Sequence, residues 1–143
     1  MTNNWSKLTN LQLGRYGEYF AKMEFTKVGF DVYTAEVDDK GIDFVARKSE
    51  IEYYDIQVKS IRNHNYVYMT KGVFKPRKNL LLVLALFEDY KAPTLLLIPS
   101  MDYINKIDKP LVDRGYEWGI SIAKKNIAKF LSTYEFDKQI SQL

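Results

Sequence analysis

The chain has 143 residues, 46% of them hydrophobic, which fits one folded domain spanning residues 1–143 and excludes a disordered chain. It contains no cysteine and one histidine, His64, which excludes a disulfide scaffold, a thiolate metal site and a zinc site built from histidines. Its net charge of +3 is too small to indicate nucleic-acid binding by itself.

Nothing in the sequence indicates secretion or a membrane. Residues 1–7 are polar and lack the apolar segment of a signal peptide. The longest apolar run, Leu80–Phe87, has eight residues, whereas a membrane-spanning helix needs about 20. We therefore expect a cytoplasmic protein that does not contact a membrane.

The first predicted element is a helix over residues 10–27, with Thr9 or Asn10 as its N-cap. Apolar side chains recur along it at helical spacing and are predicted to face the core: Leu13, Tyr16, Phe20 and Met23. A second stripe, with small residues on either side of a glutamate, consists of Gly14, Glu18, Ala21 and Phe25. That side could approach a sheet closely and direct Glu18 into a crevice, although an exposed glutamate is the commoner outcome.

The next segment carries the polar residues of interest on a predicted hairpin. After a first strand over residues 30–36 and a turn in which Gly41 can adopt a positive φ, strands over residues 41–46 and 54–60 flank a polar segment. Alternate side chains of a strand point the same way, so Gln57 and Lys59 share a face that Asp43 could join from the neighbouring strand. A carboxylate, an amide and an ammonium on one face predict a metal and phosphate site.

The rest of the chain predicts further strands and short helices. An extended segment over residues 66–69 precedes a loop and then the run Leu80–Phe87, whose length indicates a central strand buried on both faces. This strand is predicted to form a hairpin with residues 94–98. A short helix from Ser100 through Ile107, an edge strand over residues 118–123 and a helix from Asn126 that continues into the tail complete a mixed sheet covered by helices.

The polar residues of the hairpin and the first helix suit metal-assisted phosphodiester hydrolysis. Magnesium prefers hard oxygen ligands, which Asp43 could supply as a carboxylate, Gln57 as an amide and Val58 as a main-chain carbonyl. Glu18 could bind a second ion or a metal-bound water. Lys59 could orient or deprotonate the attacking water, or neutralise charge that develops on the phosphate.

These residues resemble the PD-(D/E)xK nuclease superfamily, and the core motifs lie within residues 14–60. The matching segments are Gly14-x-x-Gly17-Glu18, Gly41-Ile42-Asp43 and Gln57-Val58-Lys59. The glutamine form of the last motif is similar to that of Mrr-type restriction endonucleases. The helical glutamate followed by strands is similar to that of archaeal Holliday-junction resolvases.

The resemblance implies an α/β single domain with the restriction-endonuclease-like fold, a central mixed β-sheet flanked by helices. It also implies a deoxyribonuclease that depends on Mg²⁺ or Mn²⁺. By this resemblance, Asp43 is a metal ligand and Gln57 takes the place of the usual acidic ligand. Lys59 is the catalytic lysine and Glu18 is an auxiliary acid. A homodimer or a partner protein would supply specificity, because the chain has no room for a separate DNA-reading domain.

Three features depart from the family pattern. The residue before Asp43 is Ile42, where the superfamily name has a proline. Gln57 removes a negative charge from the metal site, which should weaken metal affinity unless another group compensates. Residues 61–79 show no convincing amphipathic helix, although the family core has a helix between its third and fourth strands.

Basic residues follow the predicted site, with no acidic residue between Gln57 and Asn79. Asparagines and tyrosines are interleaved among them. Such a mixture can bind phosphates and stack on bases, or it can be a solvated loop and strand edge protected by lysines. The predicted DNA contacts are Arg62, Lys71, Lys75, Arg77 and Lys78.

Two alternatives to an active nuclease stay open. A catalytically weak or inactive module of the same fold, binding nucleic acid or a protein partner, would explain Gln57. In the second alternative, Asp43 and Lys59 form a cross-strand ion pair that stabilises the fold by ~0–1 kcal/mol, and Glu18 lies on the surface. His64 is expected to be solvated and not a general base. Two residues are expected to be core or interface aromatics and not to stack on bases: Trp5 and Trp118.

Overall fold

The structure is a computed structural model that describes residues 3–37, 40–63, 65–105, 110–122 and 124–143. Its helices are α1 (Asn10–Lys27), α2 (Asp102–Asn105), α3 (Ile127–Thr133) and α4 (Phe136–Ile140). Its strands are β1 (Asp31–Thr34), β2 (Phe44–Arg47), β3 (Tyr53–Arg62), β4 (Val67–Thr70), β5 (Leu80–Phe87), β6 (Thr94–Pro99), β7 (Leu111–Asp113) and β8 (Glu117–Ile120). None of the helices in these ranges is long and apolar enough to cross a bilayer.

The central sheet is mixed, as predicted, and has five strands in the order β1-β2-β3-β5-β6. The pair β3 and β5 is parallel, whereas the other neighbours are antiparallel. Both predicted hairpins, β2–β3 and β5–β6, are confirmed. Strand β5 is buried along nearly its whole length because it has a strand on each side and a hydrophobic cluster on each face.

Helix α1 has the predicted bounds because its start carries a complete capping box. The hydroxyl of Thr9 accepts a hydrogen bond from the Gln12 N–H at 3.1 Å, and the Gln12 side chain accepts one from the Thr9 N–H at 2.9 Å. These two bonds satisfy amide groups that have no partner inside the helix.

The predicted core face of α1 is wrong by part of a turn. The side that meets the sheet carries Leu13, Gly17, Ala21 and Phe25, whereas Met23 is 57% exposed and Tyr16 is also exposed. Gly17 explains the difference, because a Cβ at this position would overlap the Ser60 hydroxyl and lie 3.3 Å from the Ala85 Cβ. The helix therefore approaches the sheet most closely at Gly17, with Leu13 and Phe25 buried on the same side and Tyr16 and Met23 toward solvent.

The other face of the central sheet is covered by α2, α3 and a second sheet, and the sequence did not predict that sheet. This sheet has three strands in the order β4-β8-β7. Strand β8 was predicted at an edge and instead lies in the middle, paired with β4 and β7. The connection between parallel strands β3 and β5 thus contains a strand where the family pattern has a helix, in agreement with the missing amphipathic pattern over residues 61–79.

Two predictions about the later helices are also corrected. The Ser100 hydroxyl does not cap a helix: it accepts a hydrogen bond from the Arg77 N–H at 3.0 Å and donates one to the Arg77 carbonyl at 2.8 Å. Residues 106 and 107 of that predicted helix lie outside the described residues. The C-terminal helix breaks at Tyr134, whose carbonyl accepts a hydrogen bond from the Leu97 N–H at 2.9 Å, and α4 begins as a separate element.

Candidate active site

Asp43 lies just before β2, and its side chain reaches across to β3. Its main-chain N–H donates to the Ile56 carbonyl at 2.8 Å, and its carboxylate accepts a hydrogen bond from the Val58 N–H at 2.7 Å. The carboxylate therefore takes a position that a main-chain carbonyl would occupy if the ladder continued. This bond fixes Asp43 beside the segment that carries Gln57 and Lys59.

The turn before Asp43 is shaped by Gly41, which has the expected positive φ of 70°. A Cβ at this position would lie 2.6 Å from Val73 Cγ1 and 3.4 Å from the Gln57 amide oxygen. A side chain would therefore clash with the segment after β4. Glycine allows both the turn and the close approach of the backbone to Gln57.

The two faces of β3 have different surroundings. Ile56 and Val58 pack in the hydrophobic cluster that contains α1. Because strand side chains alternate, Gln57 and Lys59 point the other way, toward the second sheet. There they line a cleft of about 200 Å³. Its remaining walls are Tyr68, Met69, Thr70, Val73 and Phe74.

The amide oxygen of Gln57 is buried and has no hydrogen-bond partner among the described residues. A buried acceptor left unsatisfied costs about 1–3 kcal/mol. A divalent cation would satisfy such an oxygen, and it would do so next to the Asp43 carboxylate. The donor set of carboxylate, amide oxygen and main-chain carbonyl fits Mg²⁺ or Mn²⁺ in chemistry.

The carboxylate content of this donor set is low. Within the described ranges, no group of three or more His, Cys, Asp or Glu side chains is placed to hold a metal ion. A cation at Asp43 would thus depend on the neutral Gln57 oxygen and on water for much of its coordination.

The structure places Glu18 away from the cleft. Its carboxylate forms an ion pair with Lys22 at 3.3 Å on α1, which packs on the opposite face of the central sheet from Gln57. The Lys22 ammonium lies 5.9 Å from the centre of the Phe44 ring, and Phe44 directly follows Asp43. Lys22 was not singled out from the sequence, although the i, i+4 spacing to Glu18 is typical of an ion pair on a helix.

Three of the five basic residues predicted to contact DNA are engaged within the chain. Arg62 donates to the carbonyls of Trp5 and Leu8 and to the Asn10 side chain, so it ties the end of β3 to the start of α1. The other two engaged residues form ion pairs: Lys71 with Asp113 at 2.6 Å and Arg77 with Asp55 at 2.7 Å. The two remaining residues, Lys75 and Lys78, are exposed.

The Lys71 ammonium has a second contact besides its ion pair. It lies 4.0 Å from the centre of the Trp118 ring, and its hydrogen bond holds the pKa of Asp113 below its usual value. Trp118 and Trp5 are both buried, which confirms them as core aromatics. His64 lies outside the described residues.

Comparisons with known proteins show the fold. No family model and no curated protein matches the chain. Among solved structures, it is similar to Hjc of Archaeoglobus fulgidus, described as a Holliday junction resolvase from an archaeal hyperthermophile. The TM-score is 0.61 at 15% sequence identity, over 90% of this chain and 95% of that chain. The chain therefore has a PD-(D/E)xK nuclease-like fold, as the sequence motifs implied.

Proposed function

We propose that this protein is a metal-dependent endonuclease that hydrolyses DNA phosphodiester bonds. Its active site would consist of Asp43, Gln57 and Lys59. The observation that supports this most is the hydrogen bond from the Val58 N–H to the Asp43 carboxylate, which holds a charged oxygen beside the unsatisfied amide oxygen of Gln57. The nuclease-like fold adds independent support.

Three groups of the chain would hold Mg²⁺ or Mn²⁺: the Asp43 carboxylate, the Gln57 amide oxygen and the Val58 main-chain carbonyl. A bound ion of this kind polarises a phosphate and lowers the pKa of its own water. The protein contributes the position of the two side-chain oxygens, one fixed by β3 and the other buried beside Gly41. Little rearrangement of these side chains is then needed on binding.

Lys59 would act on the phosphate from the same cleft. It follows Gln57 by two residues, about 6.5–7 Å along the strand, and both side chains line the cleft. Its ammonium would neutralise the charge that develops on the phosphate, or its amine would take a proton from the attacking water.

Glu18 is the auxiliary acid of the proposal. Because its carboxylate is paired with Lys22 on the α1 side, it would assist only after Lys22 moves. We therefore expect Glu18→Gln to reduce activity less than Lys59→Ala does.

DNA binding would use the exposed amines of Lys75 and Lys78. Contacts of this kind recognise phosphate without reading the base sequence and weaken as salt is added. Arg62, Lys71 and Arg77 would contribute positive potential while they keep their internal partners. Sequence or structure specificity would come from a second copy of the chain or from a partner protein.

The test is an assay of cleavage of linear, branched and single-stranded DNA with Mg²⁺ or Mn²⁺. We expect metal-dependent cutting by the wild type, and a loss of about 100-fold or more in Lys59→Ala and Asp43→Ala, the range seen when an electrostatic catalytic group is removed. Lys129→Ala, at an exposed lysine on α3, is the control and should keep full activity. Circular dichroism should show that every variant is folded.

A second candidate is a catalytically inactive module that binds nucleic acid or a protein partner. The observation that favours it is the low carboxylate content around Gln57. Wild-type protein that binds DNA but cuts no substrate in either metal would support this second function. Cutting that survives in both Asp43→Ala and Lys59→Ala would contradict the proposed site.

A further inference from the structure

The solvent side of the second sheet carries a cation and two tyrosines in a row. The Arg114 guanidinium lies 4.2 Å from the centre of the Tyr66 ring. The Tyr66 and Tyr68 rings are 6.4 Å apart and nearly parallel, at 17°. We call these three side chains, Arg114, Tyr66 and Tyr68, the aromatic ladder.

The middle of the ladder is held rigidly. The Tyr66 hydroxyl donates to the Glu117 carboxylate at 2.6 Å. A Cβ at Gly119 would overlap the same ring, so the absent side chain makes room for Tyr66 on β8. Burial, and after it the hydrogen bond to Glu117, raises the pKa of Tyr66 to about 12, so this phenol stays neutral and keeps its bond at ordinary pH.

The outer end of the ladder is available to a ligand and lies at the proposed site. Tyr68 remains 53% exposed although its neighbour is fixed. It also lines the cleft that contains Gln57 and Lys59. An aromatic ligand stacked on Tyr68 would therefore border the same cleft as the proposed catalytic lysine.

The charges around the ladder favour an anionic ligand. Arg114 and Lys59 carry positive charge on this side of the molecule. Of the nearby acids, Asp113 is paired with Lys71 and Glu117 is buried under Tyr66. A nucleotide offers the required combination, a flat base with a π face and a phosphate beside it.

We propose that Tyr68 stacks on an unpaired base of the DNA next to the phosphate that Lys59 contacts. This inference rests on the proposed nuclease function and names its substrate class. In a continuous duplex, both faces of a base are covered by neighbouring base pairs, so stacking on Tyr68 requires a base that has left the helix. The substrate is thus branched, flapped or single-stranded DNA, and continuous duplex is a poor substrate.

The experiment measures DNA binding in EDTA by fluorescence anisotropy, so that it does not depend on cleavage. The two probes are a flapped duplex, with 2-aminopurine in its unpaired strand next to the branch, and a continuous duplex of the same length. The proteins are the wild type, Tyr68→Ala, Tyr68→Phe and the control Tyr90→Ala, which removes a tyrosine that is 71% exposed in the turn between β5 and β6.

We expect Tyr68→Ala to bind the flapped probe about 10-fold more weakly, within the range measured for loss of one stacked base. Its binding to the continuous duplex should change less than 2-fold. Tyr68→Phe and Tyr90→Ala should bind as the wild type does. The 2-aminopurine fluorescence should be quenched by the wild type and Tyr68→Phe, and should stay unquenched with Tyr68→Ala.

Three results would overturn the inference: wild-type affinity of Tyr68→Ala for the flapped probe, an equal loss on both probes, or no binding of either probe by the wild type. A protein that quenches 2-aminopurine through Tyr68 but never cuts DNA would keep the stacking site and reject the nuclease. A protein that cuts DNA while Tyr68→Ala binds normally would keep the nuclease and reject the stacking site.

Discussion

Strand β3 has ten residues, and its two faces differ in what they contribute. One face contributes to the stability of the fold, and the other carries the residues of the proposed chemistry. On the face toward α1, Ile56 and Val58 lie in an apolar cluster around the fully buried Phe25. On the other face, Gln57 and Lys59 line a cleft below the second sheet. Because the side chains alternate, changes on the first face should alter mainly the free energy of unfolding. Changes on the second face should alter metal binding, DNA binding and cleavage.

The largest expected effect on stability is that of Phe25→Ala. Three other rings contact Phe25 edge-on, with ring centres 5.2–5.6 Å away: Phe30, Phe44 and Phe136. Removing this side chain should lower the free energy of unfolding by about 3–5 kcal/mol, measured by urea denaturation. Lys59→Ala, on the opposite side of the central sheet, should change it by about 0.5 kcal/mol or less. A loss below 1 kcal/mol for Phe25→Ala would contradict the expectation that the face toward α1 determines the stability of the fold.

Gln57→Glu tests whether the cleft side of β3 binds a metal ion. A carboxylate at this buried position, close to Asp43, should destabilise the metal-free protein by about 1–3 kcal/mol, because a buried polar group loses its hydration and like charges repel. Added Mn²⁺ should then raise the melting temperature of Gln57→Glu more than that of the wild type. An ion present at 100 times its dissociation constant stabilises the protein that binds it by about 2.7 kcal/mol.

The control for this metal effect is the double variant Gln57→Glu with Asp43→Asn, which has the same number of carboxylates as the wild type. Its response to Mn²⁺ should fall back to the wild-type level if both side chains bind the ion. An equal response to Mn²⁺ in Gln57→Glu and the wild type would contradict metal binding at the proposed site.

The contact between Gly17 and Ser60 tests how closely α1 approaches β3. Gly17→Ala should destabilise the protein by about 1–2 kcal/mol, since the new methyl group overlaps the Ser60 hydroxyl and overpacking outweighs the gain in helix propensity. Ser60→Ala removes a buried hydroxyl that has no partner among the described residues, so it should be neutral or stabilising by up to about 1 kcal/mol.

The double variant should recover at least half of the loss caused by Gly17→Ala, because the overlap with the hydroxyl is gone and only 3.3 Å contacts with Cβ atoms remain. Thermal denaturation of the four proteins gives this coupling directly. Strictly additive effects would show that α1 relaxes away from β3 without hindrance.

The smallest predicted effect is a loss of stability above pH 10. Burial, followed by a hydrogen bond to a glutamate, raises the pKa of Tyr54 and of Tyr66 to about 12 in the folded protein. An unfolded tyrosine ionises near pH 10. The stabilising contribution of both phenols is therefore complete below pH 10 and declines as the pH rises toward 12. Absorbance at 295 nm should show a late-titrating fraction that decreases in Tyr66→Phe, whereas a single transition near pH 10 would contradict it.

The parts of the fold that the sequence predicted correctly depend on residues close together in the chain. The N-cap of α1, the positive φ of Gly41 and the apolar run of β5 are local signals, and each produced the expected element. The proximity of Asp43 to the segment Gln57–Lys59 was predictable for the same reason, because a short hairpin joins them and pairs Phe44 with Ile56.

The parts that were missed depend on contacts between distant segments. The second sheet pairs Tyr68 with Gly119, about 50 residues apart, and nothing near either residue specifies that pairing. The Ser100 hydroxyl looked like a helix cap until the fold placed Arg77 beside it. Some basic residues that were predicted to contact DNA form ion pairs within the chain, such as Lys71 with Asp113.

By itself, the sequence determined the helix α1 and the strands of the two hairpins, because the period of apolar residues and the turn chemistry act over a few residues. Only the tertiary structure decided which side of α1 meets the sheet, what covers its other face and which side chains share the cleft. Those outcomes depend on close packing between elements far apart in the chain, such as Gly17 on Ser60 and β4 on β8.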